Sequence, residues 1–389
     1  MGQEKNIEMA ETPAYELITS QSELAAFVRE AMCSDMVAVD LEADSMYHYR
    51  ERVCLLQMAA NGRTAVIDTL RVGDMSALRP LFADGTRCKV FHGADYDVRS
   101  LYRDFGISIH NLFDTQLASM YLGDKETGLE SVVGRRFGVE LNKKYQKKDW
   151  SRRPLPDDMI AYAAGDVMFL IPIAKALIKE LEQKGRLEWV REECDLLSRV
   201  RPNEDCKGPL FLRVKGAGRM TSRQLTVLEA LLRLRDGLAR QKDRPLFKIM
   251  SNAAILKIAT TLPGSRREIE RSQILSPRQI EMYGPAILAA VENAQAAPID
   301  QMSCYPRRKS PRLSPRVPAR VKALRTWRDQ AAAKMGLDPS LLFNKALVRD
   351  IAIHKPQSID ALSAVPGIHR WQVDAFGQHI VNILKRMNA

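Results

Sequence analysis

Cysteine is scarce in this chain, six in 389 residues, and no two are spaced as a CxxC pair. That excludes a disulfide framework and a zinc-ribbon spacing. Cys33, Cys54, Cys88, Cys194, Cys206 and Cys304 read as reduced, structural thiols. Long apolar runs are missing too: the longest, the interrupted stretch 167–178, falls short of the roughly 18 residues that a membrane span needs. No membrane association is expected. The opening MGQEKNIEMAETP has neither the basic nor the apolar region of a secretory signal, so the expected location is the cytoplasm. Aromatics make up only 6%, yet 46% apolar residues suffice for ordinary cores and exclude a disordered or fibrous chain. Acids are outnumbered: 47 Asp and Glu against 59 Lys and Arg leave a net charge of +12, which favours a polyanionic partner.

Residues 15–185 alternate short apolar runs with amphipathic stretches, the pattern of an α/β domain. Strands are expected over 36–41, 53–58, 64–68 and 89–92, and helices over 22–32, 96–105, 114–122 and 156–182. A charged helix near 187–200 leads into the polar break RPNEDCKGP, beyond which strand signals cease. The C-terminal half repeats itself at a fixed offset of 93 residues. Arg235-Asp236 falls on Arg328-Asp329, Ile258-Ala259 on Ile351-Ala352, Pro263 on Pro356, Ser265 on Ser358 and Gly284 on Gly377. An ungapped register with Gly and Pro at equivalent turns predicts two all-helical modules, 217–293 and 318–387. The linker 294–317 between them is Pro-rich and basic; from Arg307 to Arg325 it runs through eight cations without one acid. It is either a solvated spacer or an arm that tracks phosphates.

Asp40 and Glu42 leave the first long strand on one face, because successive residues of a strand alternate sides. A lone DxE is also an ordinary polar strand exit. Two further segments add acids at element ends: His92-Gly93-Ala94-Asp95-Tyr96-Asp97, where a strand runs into a helix, and Tyr162-Ala163-Ala164-Gly165-Asp166, where i and i+4 set a phenol beside a carboxylate. Clustered carboxylates suit hard divalent cations, and a pair of such ions can hold both the attacking and leaving oxygens of a phosphodiester. Residues alone lead this far: a metal-carboxylate site in a basic α/β protein.

These segments, with Phe113-Asp114-Thr115-Gln116 and the run from Gly138 through Asp149-Trp150-Ser151 to Tyr162-xxx-Asp166, resemble the three exonuclease motifs of the DEDD superfamily in its tyrosine branch, and within it the ribonuclease D family. The repeated modules resemble the helicase-and-RNase-D C-terminal domain, present twice. The resemblance implies a ribonuclease-H-like α/β exonuclease domain over 15–205, after a tail over 1–14, followed by the two small all-α domains. It implies an enzyme that hydrolyses RNA from the 3′ end to nucleoside 5′-monophosphates, with tRNA precursors and other small structured RNAs as substrates and a monomeric state. Asp40, Glu42, Asp97 and Asp166 would hold two Mg²⁺ or Mn²⁺ ions, with Asp40 bridging them, and Tyr162 would orient the attacking water. Asp95 would cap its helix. Ala43 stands where relatives often carry an aromatic, so either Tyr47 or Tyr49 compensates or contact with the 3′ end is altered. Gly165 replaces a better helix former at a cost of up to about 1 kcal/mol.

Two other functions remain open: a DNA-directed exonuclease with the same chemistry, and a non-catalytic RNA-binding scaffold. The intact acids speak against the scaffold. The basic segment 142–153 is a solvated loop or, placed just before the third motif, a substrate channel, with Lys147, Lys148, Arg152 and Arg153 on phosphates and Trp150 either stacking on a base or sitting in the core. Cutting the chain after about residue 210 is expected to spare the chemistry.

Overall fold

The computed structural model describes residues 14–141, 143–202, 208–306 and 314–387. It divides into two units. One comprises residues up to Ala43, Val53–Pro202 and Pro311–Ala389; the other comprises Asp44–Arg52 and Asn203–Ser310.

The first unit is built on a six-stranded mixed sheet in the order β1-β4-β3-β2-β5-β6. Its strands are β1 (Glu16–Ile18), β2 (Met36–Ala43), β3 (Val53–Ala60), β4 (Arg63–Asp68), β5 (Cys88–Phe91) and β6 (Leu112–Asp114). β2, β3 and β4 pair antiparallel, whereas β5 adds to β2, β6 to β5 and β1 to β4, all in parallel. The helices are α1 (Gln21–Ala31), the short α2 (Thr69–Val72) and α3 (Arg79–Ala83), α4 (Asp95–Phe105), α5 (Thr115–Leu122), α6 (Leu129–Phe137), α7 (Asp157–Met168), α8 (Leu170–Gln183) and α9 (Leu187–Ser198). Helix α1 starts one residue earlier than its periodicity suggests. Ser20 closes a capping box there, its hydroxyl accepting from the Glu23 N–H while the Glu23 carboxylate accepts from the Ser20 N–H. The helix expected over 156–182 divides in two at Phe169. By composition the stretch Asp157–Gln183 is long and apolar enough to cross a bilayer; here α7 packs on β2, β3 and β4, and α8 packs on β2 and β5.

The helical repeat is built twice on the same contacts. In the second unit α10 (Ser222–Gln241), α11 (Leu246–Ile249), α12 (Asn252–Thr261), α13 (Arg266–Arg271) and α14 (Pro277–Gln295) surround one apolar core. In the first unit the equivalents are α15 (Val317–Met335), α16 (Pro339–Leu342), α17 (Lys345–His354), α18 (Ile359–Ser363) and α19 (Arg370–Arg386). Buried Arg235 donates to the Met250 carbonyl, and buried Arg328 to that of Phe343. Gln279 Nε2 donates to the Ile249 carbonyl at 2.9 Å and Gln372 Nε2 to that of Leu342 at 2.6 Å. Leu262 and Lys355 end their helices in the same left-handed conformation. Each of these pairs is 93 residues apart.

The second module shares a hydrophobic core with the nuclease domain, and its α19 docks on α9. Trp371 stacks on Trp189 at 4.7 Å between ring centres. Glu192 accepts the backbone N–H groups of Arg370 and Trp371, and Glu193 accepts Trp371 Nε1 at 2.8 Å and pairs with His369 at 2.6 Å. Arg186 bridges the carbonyls of Tyr121 and Met335. The independence expected for residues up to 210 is therefore corrected: that cut would strip away part of the core.

The extended basic arm is corrected in part. Residues 307–313 lie outside the described region, as do Cys206 and almost all of the expected N-terminal tail. From Val317 onward the chain is helix α15, and Arg320 within it is buried, donating to the Ala352 carbonyl. The five described cysteines are free thiols.

Candidate active site

Strand β2 lies at the middle of the sheet and delivers Asp40 and Glu42; α4 carries Asp97 in its first turn, and α7 carries Tyr162 and Asp166 one turn apart. Asp40, Glu42, Tyr162 and Asp166 line a cleft of about 400 Å³, together with His92, Gly93, Gln116, Glu130, Lys143 and Gln146. Asp97 does not line the cleft; it is buried, 7% exposed, close enough for its charge to act on Glu42.

Electrostatics tie the four acids together. Burial raises Asp40 to about 6. Glu42 is pushed up to about 10 by burial and then by the charges of Asp40, Asp166 and Asp97. Burial and the charge of Asp40 raise Asp166 to about 8, although Tyr162 hydrogen-bonds to it. Asp97 stands well above the usual carboxylate range through burial and the charges of Asp40 and Asp114. Among the described residues none of the four makes an ion pair with a Lys or Arg, so no described cation neutralises them. Desolvated carboxylates without a cation hold their protons to higher pH. Among the described residues, no three His, Cys, Asp or Glu groups stand close enough to enclose a metal ion in this arrangement. The donors are nevertheless hard oxygens, the type that Mg²⁺ and Mn²⁺ require.

The second motif is held by Asp114, not by Asp95. One carboxylate of Asp114 accepts the N–H groups of Gly93 at 3.0 Å and Ala94 at 2.8 Å, and caps α5 through Gln116 N and Leu117 N. Asp95, expected as a cap, is instead the first helical residue and pairs with Arg99 four residues on. Gly93 has φ +76°, and a Cβ there would lie 3.0 Å from the Gln116 side chain, so only glycine fits the turn. His92 Nδ1 donates to the Thr115 hydroxyl, which in turn donates to the Phe91 carbonyl; its Nε2 has no partner among the described residues.

In the basic segment the expected nucleic-acid contacts separate. Lys147, Lys148 and Arg152 are exposed. Trp150 is corrected to a core residue: it is 1% exposed and stacks on Tyr162 at 6.2 Å. Arg153 is corrected to a structural residue, since its guanidinium binds both oxygens of Asp68 at 2.6 and 2.8 Å and the Cys54 and Trp150 carbonyls. Tyr145 hydrogen-bonds Asp158 and packs edge-on against Tyr162. Tyr49 is corrected as well: its hydroxyl donates to Asp236 and its ring lies under Arg240 inside the second unit, while Lys248 covers the Tyr47 ring. Gln116, Glu130 and Lys143 line the cleft unforeseen; Lys143 and Glu130 pair at 2.5 Å across residues that nothing local relates.

Residues 15–182 match the 3′-5′ exonuclease family, and residues 224–291 and 317–384 each match the HRDC domain. A ribonuclease D of Sphingobium indicum is 30% identical over 384 residues, 95% of this chain and 94% of the relative. The chain belongs to the ribonuclease D family. Its fold agrees with that of Escherichia coli RNase D, described as an exoribonuclease involved in structured RNA processing: the TM-score is 0.72 at 26% identity, covering 96% of this chain and 99% of the other. Exosome complex component 10 of Mus musculus is 34% identical over 264 residues, 66% of this chain; the chain spans only 30% of that relative's length. As a member of the ribonuclease D family the protein is a hydrolytic 3′-5′ exoribonuclease, with a mixed-sheet nuclease domain followed by two helical HRDC domains.

Proposed function

We propose that the protein trims the 3′ ends of tRNA precursors and other small structured RNAs, as a cytoplasmic monomer, with Asp40, Glu42, Asp97 and Asp166 holding two divalent ions. The observation that carries this is the convergence of four acids, Asp97 buried and Asp40, Glu42 and Asp166 half-buried, none paired with a Lys or Arg among the described residues, at the cleft that also holds Tyr162. When bound, the ions supply Lewis acidity to the attacking water and to the leaving oxygen. Tyr162 donates its hydroxyl hydrogen to Asp166 and keeps lone pairs free to accept from the water. Burial and the charge of Asp166 push its pKa upward, so it orients the water and does not deprotonate it. The water oxygen bonds to phosphorus, the P–O3′ bond breaks, and the 3′ oxygen of the shortened RNA leaves with a proton while a nucleoside 5′-monophosphate departs.

Lys147, Lys148 and Arg152 would hold backbone phosphates near the cleft. Within the first HRDC domain a second cleft, of about 520 Å³, is lined by Lys242, Arg244, Lys248, Arg278 and Tyr283. None of those four cations pairs with an acid among the described residues. It would take the phosphates of longer RNAs, each contact adding a counterion-release increment that weakens with salt. We divide the chain at 205, 217, 293 and 317 accordingly. Incubating the full chain with matched 3′-labelled and 5′-labelled RNA and DNA, with Mg²⁺, Mn²⁺ or chelator, tests the reading. Metal-dependent release of single nucleotides from the 3′ end of RNA is expected. Equal cleavage of DNA, or no cleavage, would replace it.

A further inference from the structure

Strand β3 reads VCLLQMAA, one carboxamide in an otherwise apolar strand. Gln57 is fully buried, 0% exposed, and neither its Oε1 nor its Nε2 has a hydrogen-bond partner among the described residues. A buried amide bonded to nothing is a standing cost, and replacement by an apolar side chain of the same shape would remove it. The sheet register says what the amide is beside. Gln57 pairs with Asp40 across the β2–β3 ladder and with Val66 across β3–β4. Directly opposed residues of an antiparallel pair project to the same face with Cβ atoms roughly 4.5–5.5 Å apart. Helix α7, which carries Tyr162 and Asp166, covers this part of the sheet. The carboxamide therefore lies beside the Asp40 carboxylate, which has no Lys or Arg partner among the described residues.

We propose that Gln57 is a positioning residue for Asp40: when divalent ions occupy the cleft, Gln57 Nε2 donates to the Asp40 carboxylate and fixes its rotamer for coordination. This rests on the reading of Asp40 as a metal ligand. Carboxylate ligands are generally held by a hydrogen bond from outside the coordination sphere, and losing that bond weakens metal binding about 10- to 100-fold. In the metal-free protein the protonated or unengaged acid leaves the amide idle.

The two states give opposite signs in one variant. Calorimetric titration of the full chain with Mn²⁺ alone, without RNA, should show Gln57→Met binding about tenfold or more weakly. Its metal-free melting temperature should rise, by roughly 2–4 °C. The Mn²⁺ concentration for half-maximal RNA hydrolysis should increase, with turnover largely recovered at saturating metal. Gln57→Leu serves if Gln57→Met does not fold. Asp40→Asn run in parallel separates the failures. If Asp40→Asn loses Mn²⁺ binding but Gln57→Met binds like wild type, Gln57 only holds an internal water and the proposal falls. If Asp40→Asn binds Mn²⁺ normally, the ligand reading falls and takes this inference with it.

Discussion

Each acid of the cleft is held where loss of water penalises its charge, and that makes the metal-free protein pH-sensitive in a defined direction. A carboxyl whose folded pKa lies above its unfolded value near 4 stabilises the fold at low pH and loses that contribution as pH rises through the folded value. Burial, with the mutual charge of the acids, pushes Asp40, Asp166 and Glu42 up to about 6, 8 and 10. The melting temperature in chelator should therefore fall as pH rises from about 4 to about 10, most steeply below pH 6 where all three groups hold protons only in the folded state, and saturating Mg²⁺ or Mn²⁺ should flatten the fall, since bound ions favour the ionised forms. A thermal melt series with and without metal checks this; identical slopes would mean that the acids do not share a site with the ion. Asp40→Asn or Asp166→Asn should abolish nucleotide release while the metal-free melting temperature holds or rises. Gly165 is a separate matter. A Cβ there meets nothing within 4 Å, so Gly165→Ala should stabilise α7 by up to about 1 kcal/mol and leave turnover intact. The acids and Tyr162 were readable because the chemistry demands those residue types at element ends. Gln57 was not, because its meaning lies in a register partner 17 positions away and in its burial, neither of which leaves a local pattern.

Most elements long enough to carry a period were legible, the nine-residue α6 excepted, and three-residue ones were not. β1 and β6 have three residues each and exist because neighbouring strands β4 and β5 offer free edges in parallel register. The 93-residue repeat was legible in full, since its Arg, Gln and capping positions recur with the contacts they make. The segment 142–153 shows the limit of reading charge: four of its cations were expected on phosphates and Trp150 either on a base or in the core, but the fold turns Trp150 and Arg153 inward. That division is testable. Changing both Lys147 and Lys148 to Ala should weaken RNA binding and reduce the salt slope of log K by about 2, one per phosphate contact, without changing the melting temperature. Arg153→Ala should instead cost about 2 kcal/mol of stability, because it leaves the carboxylate of Asp68 buried and unpaired, and should leave the salt slope unchanged. Binding titrations across a salt series, with melts of the same variants, separate the two roles; a shallower slope for Arg153→Ala would return that residue to the RNA surface.

The two HRDC repeats share a fold but not a situation, and the difference sets how the molecule can be cut. Offset matching predicts two equivalent modules, yet Trp371, His369 and the start of α19 are engaged with Trp189, Glu192 and Glu193 of α9, so the second module completes the nuclease core. No local signal reveals this, since the glutamates of α9 look like an exposed charged face until a partner arrives 176 residues later. Removing residues 314–389 would expose the Trp189 and Tyr121 rings and leave Arg186 without the Met335 carbonyl. The shortened protein should melt well below the full chain and lose turnover on short oligomers as well as on structured RNA, although every proposed ligand remains. A milder variant keeps the test interpretable if that one aggregates. Glu193→Gln removes the charge that raises His369 above its ordinary value, first through their hydrogen bond and then through charge. That pair stabilises the junction below about pH 6.5 and fades as pH rises through the raised value. Glu193→Gln should therefore lower the melting temperature more at pH 6 than at pH 9, with turnover on a short oligomer unchanged at low temperature. A truncated protein that melts and turns over like the full chain would show that the second module is an appendage, and a Glu193→Gln shift independent of pH would show that His369 is not charged at the junction.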